Sequence, residues 1–224
     1  MAEQPAPSDA VVAATGLVAA ALVWTTAWST TRHMVTLVHE GAHAVVALVT
    51  GRRLVSIRLH SDTSGLTVSR GRPSGPGMVV TIAAGYIGPG VLGLAAARLL
   101  GAGHAVGLLW LVLGLLALLL VQIRNWFGLW SVLVSGAVVL AVSWRLPGAA
   151  QSAFAYVLTW FLLLAAPRPV LELQGSRRRR SQRSDADQLA RLTRLPAIGW
   201  VGLFLVVTVG SLGLGGWWLL ADVL

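Results

Sequence analysis

The chain lacks cysteine and lysine and is poor in charged residues of every kind. Its 224 residues contain no Cys, and all seventeen basic residues are Arg. Without Cys, the chain can form no disulfide, no thiolate zinc site and no cysteine nucleophile. Charged residues make up 11% of the chain, whereas a soluble domain carries about a quarter. Together with the 56% of hydrophobic residues, this composition predicts an integral membrane protein.

Residues that can bind a metal are equally scarce. In the absence of Cys, any metal must be held by His, Asp or Glu. The chain has five His and eight acidic residues, which are His33, His39, His43, His60, His104, Glu3, Glu40, Glu172, Asp9, Asp62, Asp185, Asp187 and Asp222. The candidates for a metal site are therefore few enough to consider one by one.

Long apolar runs dominate the rest of the sequence. A helix needs about 20 mostly apolar residues to cross the bilayer. Seven runs qualify, near 10–29, 32–50, 79–99, 105–123, 126–144, 150–166 and 197–221. The first two are divided only by the segment 29–32, so six or seven spans fit the pattern. The predicted fold is a single all-α polytopic membrane domain over residues 1–224.

The distribution of Arg predicts the orientation. With seven spans, fourteen Arg fall on one side of the membrane and three, at positions 32, 98 and 145, on the other. Cytoplasmic loops carry the excess of basic residues. We therefore expect a multi-pass protein of the plasma membrane with a cytoplasmic N-terminus and, for seven spans, an external C-terminus. This position of the Arg residues indicates a topology signal and predicts no nucleic-acid partner.

Two segments differ from membrane spans. In the loop 51–78, apolar and polar residues alternate over 54–60 and 65–70 around a turn, which predicts a cytoplasmic β-hairpin. The loop 167–196 contains a run of Arg, and then Ser184 followed by acidic residues, which is typical of a helix N-cap. We expect a basic cytoplasmic loop that leads into a short helix ending at Pro196.

A metal-binding motif lies in the second apolar run. In His39-Glu40-Gly41-Ala42-His43, the two His are four residues apart and so lie about 40° apart around a helix, on one face. This is the spacing of zinc hydrolases, in which two His bind zinc and the Glu stands beside them. Ionisable side chains at membrane depth indicate a functional site, because they are costly there. Two His paired with neighbouring helices would be the structural alternative.

A third ligand is needed, since catalytic zinc usually has three protein ligands and a water. His33 lies about 240° around the helix from His39 and points elsewhere. The remaining candidates are His60 and Asp62 in the hairpin, and Asp185 and Asp187 before the last span. We favour Asp185, with Asp187 second.

Five motifs lie along the chain: HEGAH, the hairpin TGRRLVSIRLHSDTSGLTVSR, AAGYIGP at 83–89, RNWFG at 124–128 and SDADQLARLTRLP at 184–196. Together they resemble the membrane zinc metallopeptidases of the site-2 protease clan, and more narrowly the small bacterial peptidase-M50B-like branch. The resemblance implies zinc bound by His39 and His43, Glu40 as catalytic base, and an Asp as third ligand, which Asp185 matches best. The chain has no LDG or NPDG segment, where better-known site-2 proteases carry that Asp.

The predicted activity is zinc-dependent hydrolysis of peptide bonds in membrane proteins, within or beside the bilayer, with one Zn²⁺ per chain. The hairpin could bind the substrate as an additional strand, and Arg58 and His60 would mark its wet face. Asn125 could bond to the substrate or to the metal water, or could simply cap a helix. The alternative function is a non-proteolytic zinc-binding membrane protein, either a transporter or a scaffold.

Overall fold

The computed structural model describes residues 7–177 and 184–221, which form nine α-helices and one β-hairpin. In chain order the elements are α1 (Asp9–Trp24), α2 (Trp28–Val49), β1 (Arg53–Leu59), β2 (Gly65–Arg70), α3 (Pro76–Gly101), α4 (Ala105–Gln122), α5 (Trp126–Arg145), α6 (Gly148–Ala165), α7 (Pro167–Arg177), α8 (Asp185–Leu192) and α9 (Ala197–Leu220). The predicted all-α polytopic fold with a small hairpin is confirmed.

Within the described residues, five helices are long and apolar enough to cross a membrane: α3, α4, α5, α6 together with α7 as far as Leu173, and α9. α1 and α2 meet this criterion only as a pair, and the pair is bent by 99°. The number of candidate spans is therefore five, or six if the bent pair is one crossing. This agrees with the six-span alternative. A separate seventh crossing is not supported, because α1 has 16 residues and about 20 are needed.

The bent pair changes the expected relation between the chain ends. A Cβ at Gly16 of α1 would lie 3.5 Å from the ring of Trp160 in α6, and a Cβ at Gly216 of α9 would lie 3.4 Å from it. The other end of α1 reaches α7, where Arg168 lies over the ring of Trp24. α1 thus runs beside α6 and starts at the end of the bundle where α9 finishes. With the pair as one crossing, the start of α1 and the end of α9 lie on the same side of the membrane.

α3 is the central helix, and its glycines set its distance from three neighbours. A Cβ at Gly88 would overlap the Cβ of Ala42 in α2. A Cβ at Gly90 would lie 3.3 Å from Ser211 Oγ in α9, and one at Gly93 would lie 3.0 Å from Leu163 in α6. Small residues allow membrane helices to approach closely. This close approach brings α3 against the helix that carries the His-Glu-His motif.

The hairpin follows α2 directly, because α2 ends in a tight cap. Gly51 has a φ of 75°, and the backbone N–H groups of Gly51 and Arg52 donate to the carbonyls of Leu48 and Ala47 at 3.0 and 2.9 Å. Glycine at this position allows the helix to stop and the chain to turn.

β1 and β2 form an antiparallel pair, in which β2 has the predicted range 65–70 and β1 begins and ends one residue earlier than the predicted 54–60. The register shifts between Leu54 and Ser56, where a bulge breaks the alternation: Val55 is exposed and Ser56 is buried. Beyond the bulge, Ile57 and Leu59 are buried as expected.

The predicted basic loop 167–196 is partly wrong, because its first third is helical. α7 continues the direction of α6 almost without a break, and Val170 and Leu173 are buried. Proline at the first position of a helix is tolerated, since the N–H it lacks would be unpaired there. The Arg run at 178–180 lies outside the described residues.

The short helix predicted after Ser184 is confirmed as α8. Ala186 and Leu189 of α8 have no exposed surface and pack with Val170, Val201 and Phe204. This three-residue spacing puts one face of α8 against α3 and α9. The burial of that face fixes the direction in which Asp185 points.

Candidate metal centre

His39, Glu40 and His43 lie on α2 where it meets α3. Glu40 is 5% exposed and His43 is 9% exposed. The Nδ1 of His43 donates a hydrogen bond of 2.7 Å to the carbonyl oxygen of Thr81 in α3. In the neutral ring this bond leaves the lone pair on Nε2, which faces His39. Each side chain offers a ligand atom, and the three atoms lie within 4.8 Å of one another.

Asp185 joins the two His from the start of α8. Its Oδ2 lies 3.2 Å from Nε2 of His39 and 3.3 Å from Nε2 of His43, and the two Nε2 atoms are 3.0 Å apart. We call these three atoms the donor triangle. Burial alone would raise the pKa of Asp185, but protonated His39 and His43 hold that pKa well below its ordinary value through their hydrogen bonds and charges. Asp185 is therefore a carboxylate, the form that binds metal.

The donor triangle has the dimensions of one face of a zinc site. Ligands about 2.0–2.1 Å from a tetrahedral zinc are about 3.3 Å apart, close to the three observed edges. Space beside the triangle depends on Gly85 of α3. A Cβ there would overlap Nε2 of His43 and lie 2.5 Å from Nε2 of His39. The donor set and this open space both fit a zinc ion.

Asp187 has a different role at the same helix start. Its Oδ2 accepts a hydrogen bond of 2.6 Å from Ser184 Oγ, and its backbone N–H donates to that hydroxyl at 3.3 Å. Together with the bond from Ser184 N, these contacts form a capping box. The cap contact holds the Asp187 carboxylate on Ser184, while Asp185 faces the two His.

Glu40 is held by the hairpin. Thr67 Oγ1 in β2 donates to Glu40 Oε2 at 2.7 Å and also lies 3.1 Å from the Glu40 carbonyl oxygen. A Cβ at Gly65 would lie 2.5 Å from Glu40 Oε1. The hairpin can approach the carboxylate this closely only because Gly65 has no side chain.

The predicted hairpin residues lie away from the donor triangle. Arg58 and His60 are exposed, as expected for a wet face. His60 Nδ1 lies 3.3 Å from Ser64 Oγ, and Asp62 accepts hydrogen bonds from the side chain and backbone of Ser64. These two bonds lower the pKa of Asp62. His60 and Asp62 therefore stabilise the hairpin turn.

Asn125 contacts the hairpin, and not the two His. Its Nδ2 donates to the carbonyl oxygen of Leu59 at 2.6 Å, and its Oδ1 accepts from the Leu59 N–H at 3.2 Å. The Arg124 N–H donates to the Ile57 carbonyl at 3.0 Å. The α4–α5 connection thereby occupies the outer edge of β1.

A second polar cluster surrounds the bend between α1 and α2. Glu172 accepts hydrogen bonds from Trp28 Nε1 at 2.8 Å and Arg168 Nε at 3.2 Å, and its Oε2 lies 3.3 Å from Arg32. The guanidinium of Arg168 lies over the rings of Trp24 and Trp28, 5.4 and 4.5 Å from their centroids. We call these five residues the bend cluster. It lies at the start of α2, before the His-Glu-His motif.

The sequence pattern did not identify Thr67, Gly65, Gly85 or Thr81 as site residues. Each contacts α2 from an element distant in sequence. The alternation in β2 placed Gly65 and Thr67 on one face, but the pattern contained no signal for the helix that this face meets. His33 points away from the site as predicted, and its ring lies 5.3 Å from that of Phe127.

A family model, described as Peptidase M50B-like, matches residues 12–215. Because this match covers most of the chain, the protein belongs to the Peptidase M50B-like family, and the predicted resemblance is confirmed. The family is that of membrane metallopeptidases of the site-2 protease type. Neither a curated protein nor a solved structure matches the chain significantly.

Proposed function

We propose that this member of the Peptidase M50B-like family is a zinc-dependent endopeptidase that hydrolyses peptide bonds of membrane proteins within or beside the bilayer. The observation that carries this proposal is the donor triangle, with the carboxylate of Glu40 next to it. His39, His43 and Asp185 would hold one zinc ion per chain. Bound zinc would lower the pKa of a coordinated water towards about 7 and polarise the scissile carbonyl.

Glu40 is the proposed general base. A carboxylate beside the nucleophilic water takes its proton and then passes it to the leaving amine. Thr67 holds Oε2 of this carboxylate with a bond of 2.7 Å. Among the described residues, Oε1 has no hydrogen-bond donor, which leaves this oxygen available for the proton.

The free edge of β2 is the proposed binding site for an extended substrate. Asn125 occupies the N–H and C=O of Leu59, so these groups point away from β2. In an antiparallel pair, the residues opposite Leu59 and Ile57 then point their own backbone groups outward. These residues are Gly65 and Thr67, the two that approach Glu40. A strand added at this edge would run beside the carboxylate.

Strand addition also meets a chemical requirement of the reaction. A transmembrane helix hides its peptide bonds in internal hydrogen bonds, so a substrate must be extended before it is hydrolysed. Within the described residues no strand pairs with the outer edge of β2, so its backbone groups can bind one. Exposed Leu66 and Arg58 lie opposite each other on the wet face of the hairpin.

Two substitutions test the proposal. Glu40→Gln should retain about one zinc per chain and abolish cleavage, whereas His39→Ala should lose both. Zinc is measured in the purified protein by metal analysis. Cleavage is measured in a bacterial host by quantitative proteomics, as shortened membrane proteins that are present with the natural chain and absent with Glu40→Gln. Bound zinc with no such difference would favour the transporter or scaffold. A natural chain that binds no zinc would contradict the metal site itself.

We further propose that the hairpin and α8 face the cytoplasm, because fourteen of the seventeen Arg lie in the connections at that end, whereas Arg98 and Arg145 lie at the other end and Arg32 lies at the bend between α1 and α2. The chain contains no natural Cys, so single Cys variants can be labelled without background. Ser74→Cys should react only from the cytoplasm, and Ala149→Cys only from outside. Ser8→Cys should behave like Ala149→Cys if α1 and α2 form one crossing, and like Ser74→Cys if they form two.

A further inference from the structure

The two His of the donor triangle are supported in different ways. His43 donates its Nδ1 proton to the Thr81 carbonyl at 2.7 Å, the usual way in which a metal-binding His is held in orientation. Among the described residues, Nδ1 of His39 has no hydrogen-bond partner. Its ring instead meets the ring of Tyr86 at a centroid distance of 4.8 Å and an angle of 88°. Aromatic rings prefer this edge-to-face arrangement.

Tyr86 is itself held in place from the other side. Its ring stacks on Phe204 of α9, with centroids 5.1 Å apart and planes inclined by 14°. Phe204 has no exposed surface, so it cannot move aside without disturbing the packing of α9. The Tyr86 ring is therefore fixed between α9 and His39.

The same column of rings leads to the helix that carries Asp185. Trp200 lies 6.1 Å from Phe204 between centroids, and its Nε1 donates to Thr193 Oγ1 at 3.1 Å. Thr193 directly follows α8 and is its C-cap residue, since its N–H donates to the Leu189 carbonyl in the last turn. One set of packed side chains thus extends from His39 to the end of α8.

We propose that Tyr86 is a positioning residue whose ring orients the imidazole of His39 towards the donor triangle, in the place of the hydrogen bond that orients His43. This inference rests on the proposed metal centre. It assigns the effect to the ring and not to the hydroxyl, because the contacts of Tyr86 with His39 and Phe204 are both ring contacts. Loss of an orienting partner typically lowers metal affinity about 10- to 100-fold.

The test compares Tyr86→Leu with Tyr86→Phe in the full chain purified in detergent. Zn²⁺ affinity is measured by competition with a chelator, and the site geometry by the visible spectrum of the Co²⁺-substituted protein. Tyr86→Leu should bind Zn²⁺ about 10- to 100-fold more weakly and shift the Co²⁺ spectrum. Tyr86→Phe keeps the ring and should restore both to within about twofold of the natural chain.

Phe161→Leu is the matched control, because it removes a buried aromatic ring from α6, in the other hydrophobic cluster. It should lower thermal stability without changing Zn²⁺ affinity. If Tyr86→Leu does not fold, Phe204→Leu, which removes the ring behind Tyr86, should show a weaker shift in the same direction. Natural affinity in a folded Tyr86→Leu or Phe204→Leu variant would overturn the inference, and so would a Tyr86→Phe variant as weak as Tyr86→Leu. In either case Zn²⁺ binding by the natural chain would leave the proposed function intact.

Discussion

α2 carries two polar clusters of opposite character. At its start, the bend cluster joins Glu172 to two Arg and two Trp, so the charged groups of this cluster face one another. In the second half of α2, the donor triangle brings two imidazole nitrogens and a carboxylate oxygen to within 3.3 Å of one another. None of these three atoms belongs to an Arg.

The difference separates a structural cluster from a functional one. Opposite charges and cation–π contacts compensate each other within the bend cluster, which ties α1, α2 and α7 together. Three atoms with lone pairs repel one another unless a cation or protons lie among them, and Gly85 leaves the space beside them open. The ionisable side chains of the two clusters thus have different roles. Those of the bend cluster neutralise one another, whereas those of the donor triangle direct their lone pairs to a common point.

The largest expected effect concerns Asp185. Asp185→Ala removes one corner of the donor triangle and should abolish cleavage and greatly lower zinc occupancy. Asp187→Ala is the matched control, because it removes a carboxylate two residues away that caps α8. It should lose about 1 kcal/mol of helix stability and retain most of the zinc and the activity. Metal analysis and cleavage assays of both variants check this, and the reverse pattern would make Asp187 the ligand.

The next effect tests the space beside the donor triangle. Gly85→Ala places a Cβ against both Nε2 atoms and should lower zinc affinity by at least about 100-fold, because the rings must move. Gly101→Ala, at the other end of the same helix, has no atom within 4 Å of the new Cβ and should bind zinc normally. Chelator competition measures both affinities. Equal affinities in the two variants would show that the site does not use this space.

A smaller effect should separate catalysis from metal binding. Gly65→Ala brings a Cβ to 2.5 Å from Glu40 Oε1 and should displace the carboxylate from Thr67. We expect cleavage to fall about tenfold or more, because a general base depends on its position. Zinc content should not change, since neither His is contacted. Loss of zinc in this variant would assign Glu40 to the ligand set.

The smallest effect concerns the bend cluster. Glu172→Gln removes the charge that faces Arg32 and Arg168 but keeps an acceptor for Trp28. The Glu172 side chain is 35% exposed, so water screens the ion pairs and we expect a loss of about 1 kcal/mol. For a chain of this size the loss corresponds to about 2–4 °C in Tm. Thermal unfolding measures it. A simultaneous loss of zinc would show that the two clusters are coupled, contrary to the comparison above.

Local patterns predicted much of this protein. The four-residue spacing of His39 and His43 puts both on one helix face whatever surrounds the helix. Ser184 followed by acidic residues in the first turn predicted the start of α8, and the structure shows a capping box there. Both features depend only on residues within one turn of each other, and this is why they could be recognised.

Predictions failed where the outcome depended on distant partners. The segment 167–177 was expected in a loop because it follows the sixth apolar run and leads into an Arg run, yet Val170 and Leu173 lie in an apolar cluster with residues of α3, α8 and α9 and form α7. The sequence left open whether the apolar runs of α1 and α2 form one span or two, because a bend of 99° between them leaves no trace in hydropathy.

By itself, the sequence determined that the chain is a membrane protein without cysteine chemistry, that one helix carries a His-Glu-His motif, and that a hairpin follows this helix. Composition and short periodicities are sufficient for each of these. Only the tertiary structure decided that Asp185 meets both His, that Thr67 and Gly65 flank Glu40, and that Gly85 leaves space beside the donor triangle. These contacts join residues that are from 25 to 146 positions apart, as for Gly65 with Glu40 and Asp185 with His39. Such pairs are selected by the packing of α3, α8 and the hairpin around α2, and not by any local pattern.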